Sequence, residues 1–134
     1  MNDCLFCKIA NGEIPCYKVF EDEFTLAFLD IHPCSKGHTV LIPKQHFFQL
    51  KDMSHRSWLT LMNGLKLSSE LIDSKLKPDG LNIGINNREA AGQAVAHVHW
   101  HIIPRYENDG GGNMHSIIRS ANPGDVSKVA KLFQ

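Results

Sequence analysis

An α+β fold follows from three features of the sequence. Short runs rich in β-branched and aromatic residues alternate with turn-forming residues, one stretch over residues 54–76 carries apolar side chains at helical spacing, and no segment repeats. A chain of 134 residues is long enough for one compact domain with its own core and too short for two of ordinary size. Its 14 basic and 14 acidic residues cancel to a formal net charge of +0, so the broad positive field of a nucleic-acid-binding or acidic-membrane-binding protein is missing. No run approaches the roughly 20 apolar residues of a membrane span, and the polar opening Met1-Asn2-Asp3 has neither the basic nor the apolar region of a signal peptide. A soluble, cytoplasmic protein is expected, with no nucleic-acid or membrane partner.

The elements fall in order along the chain. Asp3 can cap a short helix over residues 4–11, where Leu5, Phe6 and Ile9 supply an apolar side and Gly12 suits a left-handed stop. Residues 17–20, 24–30 and 39–42 are apolar, β-branched or aromatic, and are separated by Glu21-Asp22-Glu23 and Pro33-Cys34-Ser35-Lys36-Gly37, the pattern of an antiparallel meander. Trp58, Leu61, Met62, Leu65, Ile72 and Leu76 then mark one long helix, which Pro78-Asp79-Gly80 ends. Residues 81–86 and 97–103 give two further strands, joined by the small, polar residues 87–94 and closed by Pro104. Five strands result. Gly110-Gly111-Gly112 marks a flexible joint, and a last short helix after Asn122-Pro123 places Val126, Val129, Ala130 and Phe133 on one face.

The chemistry concentrates in His97-Val98-His99-Trp100-His101-Ile102-Ile103. On a strand, a period of two puts the three imidazoles on one face, with neighbours about 6.5 to 7 Å apart at Cα. Three chemistries fit that arrangement: a solvated surface strand, a catalytic metal site with an open position, or an imidazole nucleophile attacking phosphorus between neighbours that position the phosphate. Cys4 and Cys7, three apart on the first helix, can share one tetrahedral metal or be two small buried thiols. Cys16 and Cys34 have no such partner, and His32, His55 and His115 fall on surface or tail positions.

The stretch Ala91-Gly92-Gln93-Ala94-Val95-Ala96-His97-Val98-His99-Trp100-His101-Ile102-Ile103-Pro104-Arg105 closely resembles the signature of the histidine-triad (HIT) superfamily of nucleotide hydrolases and transferases. Cys4-Leu5-Phe6-Cys7-Lys8-Ile9, Ala27-Phe28-Leu29-Asp30-Ile31 and Gly37-His38-Thr39-Val40-Leu41-Ile42-Pro43-Lys44 resemble the N-terminal blocks of that family in order and spacing. Within it the chain is most similar to the Hint branch of bacterial type, purine nucleoside phosphoramidases. The resemblance implies a HIT-like fold forming one domain over residues 1–134, with a core at about residues 4–106 and an extension over residues 107–134, and a homodimer whose sheets join across two protomers.

The resemblance also implies the roles of individual residues. His99 would be the nucleophile that carries a covalent nucleotidyl group, with His101 and His38 beside the α-phosphate and leaving group. Asp30 would accept from the ribose, Asn86 would lie beside the phosphate, and Leu5, Phe6, Ile9 and Ile31 would surround a purine base. Gly92, Gln93 and Ala94 would flank the phosphate. Ala94 stands where Hint-branch members carry a serine hydroxyl, so main-chain amides around Gly92 and Gln93 are expected to hold the phosphate instead. His46 and His97 would join Cys4 and Cys7 in a closed, structural zinc site, with no metal required for catalysis. A purine nucleotide hydrolase cleaving phosphoramidates is therefore expected; a dinucleoside polyphosphate hydrolase and a nucleotide-binding interaction protein with incidental turnover are the alternatives.

Overall fold

A computed structural model describes residues 3–134; Met1 and Asn2 of the polar opening lie outside the described residues. Helix α1 spans Leu5–Ala10 and is followed by strands β1 (Lys18–Glu21), β2 (Thr25–Leu29) and β3 (Thr39–Pro43). The long helix α2 (His55–Leu76) precedes β4 (Gly80–Ile85) and β5 (Trp100–Arg105), and α3 (Val126–Ala130) lies in the C-terminal segment. The five strands form one antiparallel sheet in the order β1-β2-β3-β5-β4.

The sheet is covered on both faces at its centre, which is why β2 and β3 read as unbroken apolar runs. Leu26, Phe28, Val40 and Ile42 pack with Phe6 of α1, while Ala27 and Leu41, one residue out of phase, pack with Leu61 of α2 and with Val98. Alternation along a strand sends successive side chains to opposite faces, so the two helices share the same strands without competing for them. Helix α2 begins on Ser54, whose hydroxyl accepts from the Ser57 amide at 3.1 Å, and ends on Lys77 in the left-handed conformation just before Pro78. Its buried residues are Leu61, Gly64, Ser68 and Ile72. Gly64 permits the close approach: a Cβ there would stand 2.8 Å from Thr25 Oγ1.

Four local expectations are revised. The cap of α1 is Cys4, whose Sγ accepts from the Cys7 amide at 3.2 Å, and not Asp3. The last strand begins at Trp100, so residues 97–99 lie outside the sheet ladder. Pro104 sits inside β5 instead of closing it. Pairing with β3 has already ended at Ile102, and the Pro104 carbonyl accepts from Ser35 Oγ at 2.7 Å on that side, so the missing proline N–H interrupts no ladder bond. Finally, the glycine joint is tethered. Arg105 donates to both carboxylate oxygens of Asp109 and to the Gly112 carbonyl. Beyond it Ile117, Ile118, Val126, Leu132 and Phe133 are exposed, so the last helix covers none of the core.

Gly37 ties the loop before β3 to the end of α2. Its φ of +90° is one that side chains rarely adopt, and a Cβ would lie 2.2 Å from Leu76 Cδ1 and 3.3 Å from Pro104 Cγ. Gly37→Ala should therefore destabilise the protein by about 2–4 kcal/mol in urea unfolding, from backbone strain and overpacking together; a loss below about 1 kcal/mol would show that the loop relaxes freely.

Candidate active site

Three of the four histidines at the centre of the site, His38, His97 and His99, are buried, and His101 is half-buried; each is oriented by a fixed partner. His99 Nδ1 lies 2.8 Å from the main-chain carbonyl of His97. A carbonyl only accepts, so the proton sits on Nδ1 and the Nε2 lone pair is free. The His97 ring is turned the other way, with Nε2 2.8 Å from the Pro43 carbonyl, which leaves its Nδ1 unprotonated. For His38, the Cys34 amide donates to Nδ1 at 3.0 Å, so Nε2 carries the proton and donates to His101 Nδ1 at 2.9 Å. His101 is left with its proton on Nε2. These hydrogen-bond partners fix four tautomers: a bare Nε2 on His99, an Nε2–H donor on His38 and on His101, and an open ligand nitrogen on His97.

All four imidazoles are held below the ordinary histidine range. Burial is the first cause at each, taking His97 and His101 down to about 4 and lowering His38 and His99. At His101 the neighbouring His99 and His38 add to it, and Asp30 opposes it. Near neutral pH the rings are uncharged, as an attacking imidazole must be.

Asp30 has Oδ2 3.7 Å from His38 Nε2, and its Oδ1 accepts from the His32 amide at 2.8 Å. Asp30, His38 and His101 bring three possible ligand atoms within 4.8 Å of one another. The Cys34 amide argues against a metal there, because it requires the His38 proton to sit on the very nitrogen that would bind the ion.

A different cluster fits a metal well. Cys4, Cys7, His46 and His97 bring their ligand atoms within 4.8 Å of one another. Cys4 Sγ stands 3.3 Å from His97 Nδ1, Cys7 Sγ 3.3 Å from His46 Nδ1, and the two Nδ1 atoms 3.2 Å apart. With Zn–N of about 2.0–2.1 Å and Zn–S of about 2.3 Å, tetrahedral ligands stand about 3.3–3.8 Å apart. Burial and the adjoining Cys4 push the Cys7 thiol up to about 11, so the thiolate form that ligates a metal needs a cation beside it.

Among the residues expected around a base, Phe6 is buried and meets the rings of His99 and His97 edge-on, with centroids 5.1 and 6.0 Å away. Ile9 is partly buried against the same core cluster, while Leu5 and Ile31 are exposed. Asn86 lies at the end of β4 in a cleft of about 490 Å³ that also contains His38 and His101. The expected phosphate loop is braced internally. Gly92 and Gln93 amides donate to Glu89 and Arg88, and the Gln93 side chain bridges Arg88, Phe48 and Val95. The Ala94 amide, by contrast, has no partner among the described residues. His32, His55 and His115 are exposed.

Sequence reasoning missed the main-chain groups that set the tautomers, namely the Pro43 and His97 carbonyls and the Cys34 amide. No residue-type pattern signals them. It also missed the Arg105–Asp109 pair, for which the spacing of four offered a faint cue.

A five-stranded antiparallel sheet with three alternating histidines at the entry to its last strand, their rings neutral and largely buried, defines a class, and the chain belongs to the HIT domain family, whose model matches residues 11–108. It is 52% identical over 107 residues to a HIT-like protein of Methanocaldococcus jannaschii, covering 80% of this chain and 82% of that one. It is 43% identical over 102 residues to an adenosine 5'-monophosphoramidase of Schizosaccharomyces pombe, covering 76% and 74%. The crystal structure of a HIT family member from Bacillus subtilis superposes with a TM-score of 0.84 at 38% identity, covering 98% of this chain and 94% of that one. Among the described residues no helix is long and apolar enough to cross a membrane.

Unfolded imidazoles take up protons near pH 6.5, whereas folded His97 and His101 do so only near pH 4. Between those values the unfolded chain binds more protons, so stability is fully present above about pH 6.5 and is lost as pH falls toward about 4. Melting temperatures should fall steadily over that window; a flat profile down to pH 4.5 would contradict buried, neutral rings.

Proposed function

We propose that the protein hydrolyses purine nucleoside 5'-phosphoramidates or related nucleotidyl compounds through a covalent intermediate on His99. The single observation that carries the proposal is the bond from His99 Nδ1 to the His97 carbonyl, which leaves Nε2 bare and aimed away from the backbone. In the first step Nε2 bonds to phosphorus and the bond from phosphorus to the leaving atom breaks. The electron pair departs with that atom, which takes a proton from solvent in the open cleft while the His101 Nε2–H donates a hydrogen bond to it or to a phosphate oxygen. In the second step water attacks phosphorus and releases a proton to solvent, the bond to Nε2 breaks with its electron pair returning to the ring, and the neutral ring is restored. The Ala94 amide, without a partner among the described residues, would donate to the phosphate in place of a side-chain hydroxyl. Asp30 would take the ribose and Phe6 would back the nucleophile.

Relatives named adenosine 5'-monophosphoramidase favour an amide substrate. A dinucleoside polyphosphate hydrolase would use the same nucleophile, and rates on an adenosine phosphoramidate and a diadenosine polyphosphate, measured side by side, separate the two.

Zinc bound by Cys4, Cys7, His46 and His97 would supply structural charge compensation and no reacting water, since four protein ligands close the tetrahedron. Helix α1, with 6 residues, is too short to persist alone; its two thiols would tie it to the sheet and so hold Phe6 on His99. Homodimerisation through an exposed sheet edge is likewise part of the proposal, because β1 and β4 each leave one side unpaired; light scattering at micromolar concentration tests it.

Two outcomes are expected. His99→Ala should lower turnover at least about a thousandfold while nucleotide binding survives; near-normal rates in that variant would end the covalent mechanism. Protein purified without chelators should hold one zinc per protomer, and Cys4→Ser should lower both the zinc content and the melting temperature. Substoichiometric zinc together with an unchanged melting temperature would return the pair to ordinary thiols.

A further inference from the structure

One main-chain amide decides which way a hydrogen bond runs between two rings of the site. His38 Nε2 and His101 Nδ1 stand 2.9 Å apart, and either neutral ring can be the donor of that bond. If His38 donates, the His101 proton lies on Nε2; if His101 donates, its Nε2 is bare. The Cys34 amide breaks the tie by donating to His38 Nδ1 at 3.0 Å. The Asp30 carboxylate, 3.7 Å from His38 Nε2, is too distant for a good hydrogen bond and favours the same proton only by its charge.

Cys34 is exposed, on the loop over residues 30–38 that joins β2 to β3. Such connecting segments are ordinarily the mobile parts of a domain. Two side chains pin this one. Ser35, next to Cys34 and half-buried, donates from Oγ to the Pro104 carbonyl at 2.7 Å, while its own carbonyl accepts from the His38 amide at 3.1 Å. Tyr106 donates from its hydroxyl to the Lys36 carbonyl at 2.9 Å. Pro104 lies in β5, the strand that carries His101, and Tyr106 directly follows it. The residues on either side of the deciding amide are thus tied to the same strand as the ring whose proton it governs. Neither Ser35 nor Tyr106 takes part in the two chemical steps.

We infer that Ser35 and Tyr106 are positioning residues: by pinning the loop to β5 they hold the Cys34 amide on His38 and so set the direction of the Cys34–His38–His101 hydrogen-bond chain. The inference rests on the nucleotidyl-transfer proposal and adds to it the side chains on which its donor depends. With either pin removed the loop loosens, and the Cys34 amide no longer stands permanently on His38 Nδ1. His38 then takes a proton on Nδ1 for part of the time and accepts from His101. In that reversed chain His101 has a bare Nε2 and nothing to donate. His99 is untouched, because its own Nδ1–H is held by the His97 carbonyl. The nucleophile therefore stays competent while the donor to the departing atom is lost.

The test pairs two substrates with two variants. An adenosine 5'-phosphoramidate of a simple alkylamine has a leaving atom that needs a donor, whereas adenosine 5'-(4-nitrophenyl phosphate) releases a phenolate stable without one. Both give the same nucleotidyl intermediate, so the ratio of their kcat/KM values reports on assistance to departure. Ser35→Ala and Tyr106→Phe, made separately, should each lower the amide rate about tenfold, part of the roughly 100-fold or more lost when such a donor is removed outright. The nitrophenyl rate should stay within about twofold. Nitrogen NMR of the imidazoles should show His38 and His101 as mixed tautomers and His99 unchanged, and Ser35→Thr, which keeps the hydroxyl, should restore both readouts. A merely structural role would scale the two rates alike and leave the ratio fixed. A fixed ratio in both variants overturns the inference, as do unchanged His38 and His101 tautomers; Tyr106→Phe, which deletes a single hydroxyl, decides the point should Ser35→Ala fail to fold. If the wild-type chain cleaves neither compound, the nucleotidyl-transfer proposal fails, and the tautomer shift alone then decides whether the pins set the direction of the chain.

Discussion

The main-chain carbonyl of His97 is the pivot of the molecule. It accepts the Nδ1–H of His99 at 2.8 Å, and it can do so because residues 97–99 stand outside the sheet ladder, which begins at Trp100. Had the strand run on to His97, that carbonyl would belong to a neighbouring strand, and the His99 ring would be free to adopt either tautomer. The short break is held in place from the far side by the Val98 amide, which donates to the Phe47 carbonyl at 2.7 Å, and by Val98 itself, buried in the cluster against α2. Loss of three ladder positions, 97–99, is exchanged for a fixed His99 ring.

The same residue joins two kinds of chemistry. The His97 backbone orients His99, while its ring turns Nδ1 toward Cys4, Cys7 and His46. Phe6, lying between the two cysteines in sequence, touches both His97 and His99. A metal in the cysteine–histidine cluster would therefore sit one ring away from the proposed nucleophile without touching a phosphate. With metal bound, such a division would link the stability of the N-terminal helix to the geometry of the His99 ring.

Much of this was legible in the residues. Hydrophobic periodicity located all five strands and the long helix to within a few positions, because two-sided burial leaves continuous apolar runs in β2 and β3, and because Ser54 and Pro78 mark the ends of α2 plainly. Spacing in the cysteine pair and the alternation of the three histidines marked the site, and the resemblance to a known family supplied the partners His38, His46 and Asp30. What escaped was carried by the main chain or by long-range pairing. The start of β5 depends on where β3 ends and not on β propensity, which is equally high at Val98 and Trp100. The cap of α1 fell to Cys4 instead of the better capping residue Asp3, since the helix begins where the thiols must face His46 and His97. The triple glycine looked like a free joint, but Arg105 and Asp109 close it through contacts that composition does not encode.

The tautomers are the central claim, and they can be read directly. Long-range two-dimensional NMR on protein labelled with 15N in its imidazoles, at a pH near 7.5, distinguishes a protonated Nδ1 from a protonated Nε2 for each ring. His99 should carry its proton on Nδ1, whereas His38, His97 and His101 should carry theirs on Nε2. A His99 ring protonated on Nε2, or exchanging between the two forms, would contradict the assignment of that nitrogen as the nucleophile and with it the account of the site.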